Sequence, residues 1–384
     1  MPPVEIRRVS TKKELDAFIQ FHYNLYKGNK YDAPNLYSDE IHTLSKECNA
    51  AFEFCEAEYY LALRDKKVVG RIAGIINHRA NERWGNKSVR FGWIDFIDDI
   101  EVSEALLDAV AWWGQSKGMT QMVGPLGFTD MDPEGMLIEG FDQLGTMATI
   151  YNYPYYPQHM EKIGGFEKDN DYVEYKLIVP KDGMPEKYQK IAQMVQKRYN
   201  LHPMHPKRSQ VFGKEQYGRK VLDVVNKTFG DLYGYSQMTE RQIDEYLKMY
   251  FPMLDMNLLC LIEDWNTPNH EVIGVGISIS SMTRALQKCR NGRLFPFGWW
   301  HCFRALKMRK AECVDLMLVG ILPEYRQKGA NALLFYDLIP RYQKYGFKWG
   351  ETNVEMETND KVQSQWQYLE HVQHKRRRCY KKSL

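Results

Sequence analysis

The run from Val314 to Ile321, V-D-L-M-L-V-G-I, has the near-continuous apolar character of a strand covered on both faces, and it passes within a few residues into a helical pattern. The intervening turn carries Pro323, Arg326, Lys328 and Gly329, and the helix that follows, Ala330 to Ile339, sets Leu333, Leu334 and Leu338 on one side. A strand needing cover on both faces, followed at once by a helix with an apolar stripe, builds an α/β layer rather than a bundle or a sandwich. The turn between them is also a place where chemistry can happen. Backbone N–H groups at a helix start, reinforced by the helix dipole, attract a phosphate-bearing ligand, and the basic side chains add charge. A glycine at 329 lets such a ligand approach the backbone closely.

The same order of elements can be read twice along the 384 residues, a length that suits two domains. In the first half Lys12 to Tyr26 has helical periodicity, and Glu58 to Leu63 with Val68 to Ile76 reads as a hairpin. Val89 to Ile97 follows as a strand, Ser103 to Gln115 as a helix, and Thr120 to Val123 and Tyr172 to Val179 as strands. In the second half Tyr188 to Lys197, Tyr217 to Thr228 and Glu240 to Tyr250 read as helices, and Leu258 to Glu263 with Val272 to Ser280 as a strand pair. Lys348 to Met356 is then a strand, Lys361 to Leu369 a helix and Arg376 to Lys381 an edge strand. Breakers concentrate in Val179 to Met184, so the boundary is placed at 1–180 and 181–384. The expected class is α/β (α+β), with a mixed, mostly antiparallel sheet flanked by helices in each domain.

Several function classes recede. No apolar run reaches the roughly 20 residues needed to cross a bilayer, and Met1 to Thr11 lacks the apolar stretch of a signal peptide, so a cytoplasmic protein without a membrane partner is expected. The 7 cysteines are scattered and never form a C-x-x-C pair, which suggests neither a disulfide framework nor a metal site. The 52 basic residues nearly balance the 49 acidic ones, and in His374 to Lys382 strand alternation sends Arg376 and Arg378 one way and Arg377 the other. Nucleic acid is therefore not expected as a partner.

At Arg326, Gln327, Lys328, Gly329 and Ala330 the chain resembles the acyl-CoA motif of the GNAT (GCN5-related N-acetyltransferase) superfamily, written R/Q-x-x-G-x-G/A. Asn331 departs from the small residue usual at the sixth place. The resemblance extends through W-G-E-T-N-V-E-M-E-T-N-D, Trp349 to Asp360, and covers about Val272 to Tyr380. It implies that the backbone of Leu318, Val319 and Ile321 pairs with pantetheine amides, that Arg326 to Asn331 hold the pyrophosphate and that Asn359 touches the pantetheine. The first half matches only in its order of elements. Its corresponding junction, I-D-F-I-D-D-I-E-V-S-E, places Asp95, Asp98, Asp99, Glu101 and Glu104 where a pyrophosphate would be repelled, so this half reads as a degenerate copy framing the acceptor side.

The resemblance implies an N-acyltransferase that uses acetyl-CoA or another acyl-CoA as co-substrate on a primary amine of a small molecule or peptide. Tyr368 is then the candidate acid and Glu357 the candidate base, against the plainer readings of a packed tyrosine and a helix cap. The aromatic run Phe295, Phe297, Trp299, Trp300 and Phe303 either lines an apolar pocket or forms an amphipathic helix packed on the domain junction. Asp130, Asp132 and Glu134 either bind a cationic acceptor or lie in a solvated loop. Tyr151, Tyr153, Tyr155 and Tyr156 either face a cleft or form a rigid turn. Two other activities stay open, a Fem-type aminoacyl or peptidyl transferase using charged tRNA and a non-catalytic CoA-binding module.

Overall fold

The structure is a computed structural model that describes residues 2–230, 232, 234–308 and 311–384. Its residues group into two compact units, one of Met1–Val173, Thr283–Cys302 and His374–Leu384, the other of Glu174–Met282 and Phe303–Gln373. The chain is thus not divided by one cut between 180 and 181. Two long strands supply residues to both units, and the second half lends the first an insertion and its own C-terminus.

The first unit is a largely antiparallel sheet of β1 (Glu5–Arg8), β2 (Cys55–Arg64), β3 (Lys67–Asn77), β4 (Ser88–Phe96) and β5 (Gln121–Gly124), in that order. Only β4 and β5 run parallel. The β2–β3 hairpin closes through Asp65 and Lys66, both with positive φ, as a two-residue turn requires. Helix α1 (Lys12–Leu25) begins in a capping box in which Thr11 and Glu14 satisfy each other's backbone N–H groups. Helix α2 (Ile100–Ser116) buries Val102, Leu106 and Val110 in the apolar core that also holds Val89 and Phe91 of β4. The short β6 (Met136–Glu139), helix α3 (Tyr155–Ile163) and the first part of β7 (Glu167–Ile178) complete this part of the chain.

The last strand of the protein lies inside this sheet. Strand β14 (His371–Ser383) pairs antiparallel with β5 from Tyr380 to Ser383 and neighbours β7 on its other side. It was expected at an edge. Its basic residues are accordingly committed: Arg376 and Arg378 both donate to Asp171 of β7 at 2.8–3.1 Å, and that carboxylate is held below its usual range as their bonds and charge outweigh its burial. Alternation puts Lys375 and Arg377 on the other face, buried, where they donate to the carbonyls of Leu144 and Ile150.

The second unit orders its strands β7, β12 (Trp349–Thr352), β11 (Cys313–Ile321), β10 (Glu271–Ser280), β9 (Leu259–Asp264) and β8 (Leu201–Met204). The two-residue β13 (Glu355–Met356) pairs with β7. Helices α4 (Glu186–Tyr199), α5 (Tyr217–Phe229) and α6 (Glu240–Tyr250) precede β9. Along the chain helix α7 (Gly298–Lys307) comes between β10 and β11, its residues to Cys302 grouping with the first unit, and α8 (Asn331–Tyr345) follows β11. Leu333, Leu334 and Leu338 of α8 are buried as expected, and Leu334 and Leu338 lie so close over Gly276 of β10 that a Cβ there would come within 3.4 Å of both. After β13 comes the short helix α9 (Asp360–Gln363). No helix of the described residues is long and apolar enough to cross a membrane.

Deleting His374–Leu384 removes most of an interior strand and both arginine partners of the buried Asp171, not a tail. The truncated protein is expected to lose cooperative unfolding of the first unit and to precipitate on expression. Circular dichroism and denaturant titration check this, and a soluble protein with an unchanged midpoint would contradict the interior placement.

Candidate functional site

Strand β11 makes two different ladders. Toward β10 it pairs along its length, from Val314 with Ser280 to Ile321 with Gly274, except that Met317 is squeezed out between the Leu316–Ser278 and Leu318–Ile277 pairs. This is a β-bulge, which re-aims the strand. Toward β12 the parallel ladder runs only from Cys313–Trp349 to Leu316–Thr352 and then stops. Asn353 holds the point of divergence: its backbone N–H donates to Leu316 O at 3.1 Å and its Nδ2 to Met317 O at 3.2 Å. Beyond it, the side of β11 that bears Leu318, Val319 and Ile321 has no pairing to β12. An open strand edge of this kind can take an extended amide-bearing chain by backbone pairing.

The open edge leads into the turn. Pro323–Arg326 forms one helical turn, Gln327 closes it, and Gly329 has φ +76° before Ala330 and Asn331 start α8. No side chain caps the N-terminus of α8. The side chain of Arg326 folds back, with Nε donating to Ile321 O and Nη2 to Thr228 O, both at 3.0 Å. Lys328 Nζ lies 4.0 Å from the ring centre of Tyr325. Both basic side chains therefore brace the turn, and its backbone is what faces α8's unoccupied cap. Gly329 borders α4, since a Cβ there would stand 3.4 Å from Val195 and 3.7 Å from Ile191.

The other expected residues make local contacts of their own. Asn359 is the cap of α9, its Oδ1 accepting from Val362 N at 3.4 Å, so the capping weighed for Glu357 belongs to Asn359. The backbone carbonyl of Glu357 accepts from Gln363 Nε2 at 3.1 Å. Tyr368 packs edge-on against Tyr188 at 5.3 Å with Lys187 Nζ 4.1 Å over its ring. In the second unit Glu355 of β13 has a raised carboxyl. Burial pushes it up to about 8, against the pull of hydrogen bonds from the Trp366 indole, at 3.1 and 3.2 Å, and from Thr352. Strand alternation does not compare it with Glu357, which lies in the turn after β13.

In the first unit four of the five carboxylates of the corresponding junction, Asp95, Asp98, Asp99 and Glu101, have arginine or histidine partners. Asp95 is buried between Arg71, at 2.7 Å, and His22, at 3.0 Å, and Tyr26 and Tyr156 donate to its other oxygen. Burial pushes His22 down, but Asp32 and Asp95 more than offset it and hold it up to about 10, so it stays charged. Asp98 meets His159 at 2.9 Å. Asp99 caps α2 by accepting from Glu101 N and pairs with Arg64 at 2.9 Å. A side chain thus occupies the helix N-terminus, a different obstacle to a phosphate from the repulsion expected. Glu134 is buried and Asp132 half-buried, so neither lies in a solvated loop, and burial pushes the carboxyl of Asp132 up to about 6. The tyrosine run packs together, with Tyr153 stacked on Tyr26 at 5.0 Å and Tyr156 on Phe96 at 4.1 Å. Among the described residues His205, Cys260 and Asp337 bring ligand atoms within 4.8 Å of one another, but Asp337 is already engaged by Arg341 and His205 Nδ1 by the carbonyl of Met256.

No family model matches the chain. It is 26% identical to Protein YghO of Escherichia coli (strain K12) over 324 residues, 84% of this chain and 79% of that protein. It is 25% identical over 327 residues to the bacterial ceramide synthase of Caulobacter vibrioides (strain NA1000 / CB15N), 85% of this chain and 82% of that protein. Among solved structures it resembles a tandem GNAT protein from the clavulanic acid biosynthesis pathway, with TM-score 0.57 at 10% identity over 99% of this chain and 98% of that one. The chain has the double-domain GNAT fold, with a mixed, mostly antiparallel sheet flanked by helices.

Two outcomes follow from this geometry. Gly329→Ala forces a Cβ into the left-handed region, at a cost of about 1 kcal/mol in unfolding free energy read by denaturant titration. For Glu355, the folded protein keeps its proton up to about 8 while the unfolded chain releases it near 4.5, so this residue's contribution to stability falls as pH rises between those values and is flat outside them. Glu355→Gln should therefore gain stability relative to the parent across that window. Parallel pH profiles of the two proteins would disprove the assignment.

Proposed function

We propose that this chain is an acyl-CoA-dependent N-acyltransferase with its donor site on the second unit. The observation that carries the reading is the open edge of β11 from Met317 to Ile321, running directly into an uncapped helix start through Gly329. A pantetheine arm has amides to pair along such an edge, and a pyrophosphate suits the backbone N–H groups of such a turn. In this reading Leu318, Val319 and Ile321 take the arm, and Gln327, Lys328, Gly329, Ala330 and Asn331 present backbone to the phosphates. Arg326 positions the turn by tying it to Ile321 and Thr228. Asn353 keeps the edge open. The first unit, its corresponding helix start filled by Asp99, takes no CoA.

The reaction is attack of an amine on the thioester carbonyl. A C–N bond forms, the C–S bond breaks, the amine loses a proton and the departing CoA sulfur gains one. We assign the proton-accepting role to Glu355, whose raised carboxyl can be ionised in mildly alkaline solution and protonated below it. Glu357 and Tyr368 remain the alternatives implied by family resemblance.

Acetyl-CoA is the donor that resemblance alone suggests. The relative named as a bacterial ceramide synthase, matched over 85% of this chain, favours instead a long-chain acyl-CoA and a long-chain amino alcohol. Purified protein should be mixed with acetyl-CoA or palmitoyl-CoA and with either a sphingoid-type amine or hydrophilic amines, and released thiol followed. The expected result is thiol release that needs both palmitoyl-CoA and the long-chain amine, falling at least about 100-fold in Glu355→Gln. Release with acetyl-CoA and a hydrophilic amine would restore the acetyl reading. No release from any acyl-CoA, with binding of charged tRNA, would favour the Fem-type alternative.

A further inference from the structure

Helix α7 is amphipathic in the wrong sense for a helix that packs through its large side chains. Its buried positions are Gly298, Cys302 and Ala305, spaced i, i+4, i+7, all small. Its exposed positions include Trp299, Trp300 and Phe303, and the loop before it exposes Phe295 and Phe297 at 79% and 74% of their surface. Among the described residues this is the densest run of exposed large apolar side chains, six of them between Phe295 and Met308. Neither an apolar pocket nor a packed helix face accounts for aromatics that point outward.

The segment is held in place. Gly292 fits so tightly under Tyr23 and Asn35 that a Cβ would come within 2.6 Å of both, and Asn291 donates to Gln20 at 2.9 Å. Arg293 stacks on Tyr37 at 4.2 Å, and Cys302 meets Cys289 at 3.8 Å. Trp299 Nε1 donates to Pro296 O at 3.0 Å, which fixes that ring beside the loop. The aromatics therefore stand on a rigid base.

Charge selects the occupant. No acidic residue lies between Glu271 and Glu312, whereas Arg284, Lys288, Arg290, Arg293, Arg304 and Lys307 all fall there. Lys288, Arg290, Arg304 and Lys307 are exposed and make no ion pair among the described residues. On the helix, Lys307 shares the exposed side with Phe303 and Trp300, and Arg304 flanks them. Outward tryptophan and phenylalanine bordered by uncompensated lysine and arginine match a lipid interface, where rings enter the headgroup boundary and cations meet anionic lipid. A second copy of this chain would bring the same positive charge to the contact and be repelled.

We propose that the loop and helix from Phe295 to Lys307 form a docking surface for anionic lipid bilayers. The protein then works as a peripheral membrane protein, contrary to the expectation of no membrane partner. The proposal does not rest on the acyl-transfer reading, since binding is measured without any acyl-CoA.

The test is sedimentation of the intact protein with vesicles of phosphatidylglycerol and phosphatidylcholine, and with phosphatidylcholine alone. Binding is expected to need the anionic lipid and to weaken as salt is raised. Phe295→Ser combined with Phe297→Ser and Trp299→Ser should reduce binding about tenfold or more, and Arg304→Gln with Lys307→Gln should weaken it and flatten the salt dependence. These positions are exposed, so unchanged unfolding midpoints show that the variants are folded. Vesicles with brominated chains should quench the parent's fluorescence, and Trp299→Phe with Trp300→Phe should remove most of that quenching. Two results would overturn the proposal: no sedimentation with anionic vesicles, or equal binding by parent and triple variant. A dimer of the parent lost in the triple variant, without vesicle binding, would assign the patch to a second copy instead.

Discussion

A parallel ladder between two strands normally runs as long as both strands do, because each unmade bond leaves a backbone donor and acceptor needing another partner. The ladder between β11 and β12 covers Cys313 to Leu316 on one strand and Trp349 to Thr352 on the other, and Asn353 then uses its main chain and its side chain to seal the last two carbonyls. Everything proposed for the second unit depends on that divergence. The bulge at Met317 bends β11 away, the open edge continues into the turn, and Arg326 fastens the turn to the end of α5 through Thr228. The arginine that the motif assigns to the pyrophosphate ties the turn to Ile321 and Thr228 through its side chain.

The first unit handles charge differently. Its buried groups come in compensated sets: Asp95 with Arg71 and His22, Asp99 with Arg64, and Asp171 with Arg376 and Arg378. Breaking one member of such a set strands a buried charge, which costs far more than the intact pair contributes. These residues therefore serve the fold, and within the negative junction Asp95 and Asp99 each lie beside an arginine.

Acyl transfer onto a long-chain amine and docking on an anionic bilayer would fit each other chemically, since both long-chain substrates partition into lipid. The two readings nevertheless stand on separate residues. One uses β11, Gly329 and Glu355, the other the outward aromatics of a helix whose buried face is glycine, cysteine and alanine.

By itself the sequence determined the local elements and the turn between β11 and α8, because these follow from short-range periodicity and backbone preference. The Glu240–Tyr250 helix coincides with its expected span, and the β2–β3 hairpin and the strand at Cys313–Ile321 lie within a few residues of theirs. Residue parity also separated Arg377 from Arg376 and Arg378. Tertiary structure alone decided that the C-terminal strand is interior, since pairing with β5 joins residues more than 250 positions apart and no local pattern encodes a neighbour at that distance. It decided likewise that the carboxyl of Glu355 is raised, because its burial is set by packing. And it decided which way the aromatic helix faces: an apolar stripe shows that a helix has two sides, but only the surrounding fold selects the side that is covered.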